Sequence, residues 1–194
     1  MGLSTTRPGG RLGAGTALVV MGGLLGVLWT LEIVDQASGN SLDGYGIRPR
    51  TDEGLVSVFL APWLHGGWPH LMSNSVPFVV LGFLVLIEGW RSWVWATLTA
   101  VVVSGAAVWL LSPPGSLTLG ASGVVFGWLG YLLVRGFYSG RGVQMAIGLA
   151  VLLVYGGVLW GVLPGQPGIS WQGHLGGVIG GLLAARLRHG RSPR

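Results

Sequence analysis

The stretch Trp171-Gln-Gly-His174-Leu-Gly-Gly177-Val-Ile-Gly-Gly181 reads as a helix whose packing surface is backbone rather than side chain. Its glycines recur at small-xxx-small spacing, Gly173–Gly177–Gly181 and Gly176–Gly180, which lets transmembrane helices approach closely. In a soluble helix each would cost about 1 kcal/mol relative to alanine. His174, Gly177 and Gly181 follow i, i+3, i+7 spacing, so an ionisable side chain heads a stripe of small residues on one face.

The rest of the chain fits a membrane reading. Hydrophobic residues make up 51% of the 194 and charged residues 9%, against about 25% charged in soluble domains. Mean hydropathy is +0.66. A chain so poor in charge cannot keep a soluble surface wet, so its outside faces lipid. The 37 glycines suit the same solvent. Net charge is +5, carried by eleven Arg and no Lys. These charges are spread along the chain with no soluble domain to present them, which argues against a nucleic-acid partner. Absence of cysteine excludes disulfides, thiolate metal sites and a Cys nucleophile.

A transmembrane helix needs about 20 mostly apolar residues. Six segments qualify: Leu12 to Val34, His70 to Ile87, Trp93 to Leu111, Ala121 to Val134, Val143 to Leu163 and Trp171 to Leu187. The first follows Arg7 and Arg11 but is too long for a signal-peptide core and lacks a clear cleavage site, so it reads as a retained helix. The expectation is an all-α, polytopic bundle over residues 12–187, with a cytoplasmic N-terminus over 1–11 and a basic cytoplasmic tail over 188–194. A long connection, Asp35 to Pro69, separates the first two helices. With both termini inside, Arg7, Arg11, Arg91, Arg135, Arg141, Arg186, Arg188, Arg191 and Arg194 lie on the inner side, and only Arg48 and Arg50 lie outside. That asymmetry favours the N-in, C-in orientation.

The same topology brings His70, Asn74, Ser122 and His174 to similar depth near the outer face. The fourth segment is short: from Ser122 to Arg135, its expected inner end, it rises about 20 Å against a hydrocarbon core of about 30 Å. Ser122 should therefore lie below the outer surface, beneath the Pro113-Pro114-Gly115 loop. Ser122 sits in Gly120-Ala-Ser-Gly123 at a helix N-terminus, with free N–H groups for developing negative charge. An isolated intramembrane serine ordinarily bonds a carbonyl of its own helix. Gly123 and Gly127 on this helix answer Gly177 and Gly181 on the last, and close packing there would bring His174 to the Ser122 hydroxyl. His70 and Asn74, four residues apart on one face, could donate hydrogen bonds to an oxyanion. His65 is expected to brace its loop, His189 to be solvated, and Glu88 and Arg91 to mark a helix boundary. HExxH is absent and no acid lies near His65, His70 and His174, so neither a metal nor another cofactor is expected.

Three motifs, His65-Gly-Gly-Trp-Pro-His70-Leu-Met-Ser-Asn74, Gly120-Ala-Ser-Gly123 and Gly173-His174-Leu-Gly-Gly177, occur in this order on the second, fourth and sixth segments. Together they resemble the rhomboid intramembrane serine proteases, in their minimal six-helix bacterial form. The resemblance implies a multi-pass protein of the bacterial plasma membrane, acting on transmembrane protein substrates within the lipid bilayer. It implies Ser122 as nucleophile and His174 as base in a dyad. Phe126 would stack on the histidine ring, and His70, Asn74 and the Ser122 amide would form the oxyanion hole. Two positions depart from the family pattern. Phe126 stands where many members have Tyr, and Val56-Ser57 stands where many have a Trp-Arg pair, so the first loop needs another brace, for which Trp63 and Trp68 are candidates. Gly46-Ile-Arg-Pro-Arg50 resembles a subgroup feature without a derivable role. The alternatives are a non-catalytic rhomboid-like protein that binds membrane helices and a small transporter. The first would be expected to lack the serine or histidine, and the second to carry paired acids or inverted repeats. The sequence carries no signal for an oligomeric state.

Overall fold

A computed structural model describes residues 12–190. The Arg7, Arg11, Arg191 and Arg194 assignments, the 1–11 N-terminus and most of the 188–194 tail lie outside this range. The fold is all-helical among the described residues: α1 (Ala14–Ala37), α2 (Asp52–Leu60), α3 (Trp68–Leu86), α4 (Trp90–Leu111), α5 (Ser122–Ser139), α6 (Gly142–Tyr155) and α7 (Trp171–His189). Six of these fall on the six expected segments. The seventh, α2, lies within the long connection. Thr51 caps it, its hydroxyl accepting from the Gly54 N–H at 3.0 Å, and Asp52 and Glu53 face the positive end of its dipole.

By length and composition α1, α3, α4 and the Gly142–Val162 stretch can cross a membrane. The last of these is not one α-helix. After α6 the Gly156-Gly157 pair passes into 3-10 turns over Gly156–Val162. Val19, Phe137, Val143 and Leu153 are each at least 70% exposed, an apolar exterior that suits lipid. The core is built around α5, whose Trp128, Leu129, Tyr131 and Leu132 are buried. It packs most extensively on α7 and also touches α3, α4 and α6. α1 covers α3, with the Trp29 indole donating to Ser75 Oγ at 3.2 Å and its ring tilted against Trp68, centroids 5.8 Å apart.

The glycine stripes explain this packing. A Cβ on Gly177 would meet the Gly123 carbonyl, and one on Gly181 would meet the Gly127 carbonyl. Gly176 and Gly180 turn the other way, against Ser104, Ala107, Thr99 and Ala100 of α4. α7 is thus wedged between two helices at backbone distance.

Three expectations are corrected at the far end of α5. Arg135 does not end the helix, which continues to Ser139, so its full length is about 27 Å. The length argument for lowering Ser122 below the surface therefore falls away. Arg135 is buried and paired with Glu88. Glu88 also accepts from Tyr131 Oη at 2.9 Å and Ser92 Oγ at 3.1 Å, which makes it a hub rather than a boundary marker. His189 is not a solvated tail residue: its Nε2 lies 2.9 Å from both Tyr131 Oη and a Glu88 oxygen. An arginine inside a helix core needs such partners. In the sequence its charge beside an apolar run suggests an interfacial position, because the partners lie far away in the chain.

Candidate active site

The nucleophile candidate is positioned by its connection as much as by its helix. After α4, the Pro113-Pro114 pair cannot continue a helix, and the chain turns at Gly115 before running extended through Leu117–Leu119. Gly120 then adopts φ +126°, and a Cβ there would lie 2.7 Å from His70 Cε1. Glycine at this position both permits the turn and lets the His70 ring pack against the backbone. Ser122 opens α5 immediately afterwards, so its N–H has no carbonyl of a preceding turn to bond.

His174 enters from α7, one turn past the Ser170 cap, whose Oγ accepts from the Gly173 N–H at 3.3 Å. Ser104 of α4 donates to the Gly173 carbonyl at 2.8 Å and fixes the backbone beside the histidine. The outcome is a direct contact, with His174 Nε2 2.9 Å from Ser122 Oγ. Phe126, one turn after Ser122, stacks on the imidazole with centroids 4.1 Å apart and planes 13° from parallel.

The sequence offered no partner for the other ring nitrogen. His174 Nδ1 lies 3.0 Å from the Gly161 carbonyl, in the 3-10 turns that follow α6. A carbonyl can only accept, so Nδ1 carries the proton and neutral Nε2 presents its lone pair to Ser122. A Cβ at 161 would sit 2.9 Å from His174 Nδ1 and 3.1 Å from Phe126 Cζ. Gly161→Ala is therefore expected to displace the ring and lower turnover about 100-fold. Thermal stability should change little, and comparing kcat with melting temperature checks both halves of that expectation.

His70 and Asn74 reach the same place from α3. The Gly66 N–H donates to His70 Nδ1 at 3.4 Å, which leaves Nε2 as the protonated nitrogen, on the side of Gly120. Asn74 Nδ2 donates one hydrogen to the His70 carbonyl at 3.0 Å and keeps a second. His70, Asn74, Ser122, Phe126, Gly161 and His174 all line one cavity of about 860 Å³. His65 stands outside it. Its Nε2 accepts from the Ala121 N–H at 3.4 Å, and its ring meets His70 edge-on at 5.1 Å. Burial, aided by nearby His70, lowers its pKa to about 3, so it ties loop to helix as a neutral ring. Among the described residues no group of His, Asp or Glu has the disposition of a metal site.

Comparison with known proteins identifies the family. The chain is 44% identical over 192 residues to an uncharacterized protein of Mycobacterium tuberculosis, covering 95% of this chain and 78% of that one. It is 32% identical over 136 residues to the rhomboid-like protease 5 of Toxoplasma gondii, covering 66% of this chain and 16% of that one. It is 30% identical over 139 residues to the RHOMBOID-like protein 4 of Arabidopsis thaliana, covering 62% and 31%. Residues 52–191, a range that takes in the three motifs, match the Rhomboid domain, and the protein is a polytopic membrane protein that belongs to the rhomboid family.

Proposed function

We propose that this protein is an intramembrane serine endopeptidase that cuts other membrane proteins in or near their transmembrane segments, using Ser122 and His174. The single observation carrying this reading is the 2.9 Å contact of His174 Nε2 with Ser122 Oγ, made while Nδ1 is held on a carbonyl. An ordinary helical serine would bond its own helix instead.

Ser122 Oγ attacks the substrate carbonyl carbon as its proton passes to His174 Nε2. The tetrahedral oxyanion is held by the Ser122 N–H, His70 Nε2–H and the free N–H of Asn74. Collapse breaks the C–N bond, and His174 returns the proton to the departing amine. Water then attacks the acyl-enzyme with His174 again taking the proton, which releases the carboxylate and restores Ser122. A small cavity of about 30 Å³ behind Ser122, lined in part by Ser104, Ser170 and His174, is large enough for a water molecule. Phe126 holds the imidazole by stacking alone, since it has no hydroxyl. A substrate helix buries its carbonyls in i→i−4 bonds, so the scissile segment must unwind before it can enter.

The same reading sets the molecule across a bacterial plasma membrane with six spans and both termini inside. With Arg135 now assigned to the protein interior, the inner side retains eight arginines, Arg7, Arg11, Arg91, Arg141, Arg186, Arg188, Arg191 and Arg194, against Arg48 and Arg50 outside. The test is direct. Protein purified in detergent should be labelled at Ser122 by a fluorophosphonate and should cleave a model transmembrane substrate. Either signal surviving in Ser122→Ala would refute the assignment.

A further inference from the structure

The Gly46-Ile-Arg-Pro-Arg50 segment has no part in the dyad, yet it is fastened to both ends of the connection that delivers Ser122. At one end the Arg50 guanidinium reaches the close of α4, donating to the carbonyls of Leu110 at 3.0 Å and Ser112 at 2.9 Å. These are carbonyls at and just beyond a helix C-terminus, where a cation is favoured. Arg50 does this from φ +59°, a left-handed conformation that residues with side chains rarely adopt. Beside it the Trp109 indole donates to the Thr51 carbonyl at 2.8 Å, so loop and helix are tied in both directions.

At the other end Ile47 and Thr118 exchange two backbone hydrogen bonds, at 2.7 and 3.1 Å. Ile47 is buried, and Gly46 has Leu117 and Leu119 so close that a Cβ would lie 2.9 Å from Leu117 Cδ1. Two residues further on, the Gly120 N–H donates to the Ala61 carbonyl at 2.9 Å. The 112–121 connection is thus held at its start by Arg50, in its middle by Ile47 and at its end by Ala61 and His65. Trp63 and Trp68, the braces expected from sequence, take no part in these bonds. Trp68 packs on Trp29 instead.

We infer that Arg50, clamping the end of α4 to the first loop, is a positioning residue that sets the orientation of the Ser122 amide and hydroxyl. This rests on the endopeptidase reading. The clamp has a geometric basis: a planar guanidinium spans two carbonyls at once, whereas an ammonium reaches one. Losing it frees the 112–121 connection to shift, and small displacements of catalytic groups are costly.

The test uses the full chain in detergent. Arg50→Ala should lower both the rate constant for fluorophosphonate labelling of Ser122 and kcat about tenfold. KM should stay within about twofold of the parent. Arg50→Lys should recover part of the loss. Trp109→Phe, which keeps the ring and removes the bond to Thr51, should show a smaller fall of the same kind. Unchanged labelling in a folded Arg50→Ala overturns the inference, as does a loss confined to KM or one that disappears well below the variant's melting temperature. If Arg50→Ala does not fold, unchanged kcat in both Arg50→Lys and Trp109→Phe overturns it. An inert parent would remove the endopeptidase reading and this inference together, whereas an active parent with equally active variants removes only the inference.

Discussion

Ser122→Ala and His174→Ala are each expected to lower kcat for a transmembrane substrate by about 10⁴–10⁶-fold, with the double variant losing no more than either alone. The reason lies in the shared proton. His174 Nε2 has one task, at 2.9 Å from Ser122 Oγ, and without either atom the other does nothing for the reaction. Activity left in each variant would come from the proposed oxyanion donors His70, Asn74 and the Ser122 amide, which survive both substitutions. The four proteins, compared with one substrate under single-turnover conditions, decide the matter. Losses that multiply in the double variant would mean that the residues act independently, and the dyad would be wrong.

Glu88→Ala should destabilise the folded protein by about 3–5 kcal/mol, because it leaves the Arg135 guanidinium buried without its counter-charge. Denaturant unfolding in detergent measures this, and a loss below about 1 kcal/mol, the value of a surface pair, would contradict it. Arg135 lies thirteen residues along α5 from Ser122, about 20 Å away, so activity per folded molecule should be preserved. The cluster also makes a pH prediction. Burial alone would raise the Glu88 carboxyl, but the His189 hydrogen bond, the Arg135 charge and the Tyr131 hydroxyl outweigh it and hold the pKa at about 2, below the usual 4.5. A group whose pKa is depressed on folding stabilises the protein above its unfolded value and ceases to do so as pH falls through its folded one. This contribution should be intact at pH 6 and lost between about 4.5 and 2, and Glu88→Ala should remove that part of the acid dependence.

What the sequence revealed follows from which interactions side chains advertise. Hydropathy marks lipid-facing helices, so α1, α3, α4 and α6 were plain. α5 and α7 pack closely on each other and on α4, and their signal is the glycine spacing. Helix order and direction bring Ser122, His174, His70 and Asn74 to one level, the family resemblance adds Phe126, and the structure brings all five to one cavity. Gly161 was invisible because what it contributes is a carbonyl, which every residue has. Its only trace was a glycine in a region already rich in them. α2 is legible in Thr51-Asp-Glu, a cap followed by two acids, although the glycines and prolines around it read as connection. The Glu88 cluster is hidden because a charge beside an apolar run suggests water, whereas its partner Arg135 stands 47 residues away in the chain. Arg50 gives no sign of its role because the carbonyls it holds are 60 and 62 residues away.

The two halves of the proposed dyad are 52 residues apart in the sequence. At a synthesis rate of about 5–20 residues per second, roughly 3–10 seconds separate the appearance of the serine from that of its base. Throughout that interval the nascent chain carries an unactivated hydroxyl, and the Gly161 carbonyl precedes the ring it orients by only 13 residues. The proposed base arrives on α7, which must also seat its glycines between α4 and α5 before Nε2 comes within reach. The proposed protease is in this way held inactive until α7 docks, through the order in which the chain is made.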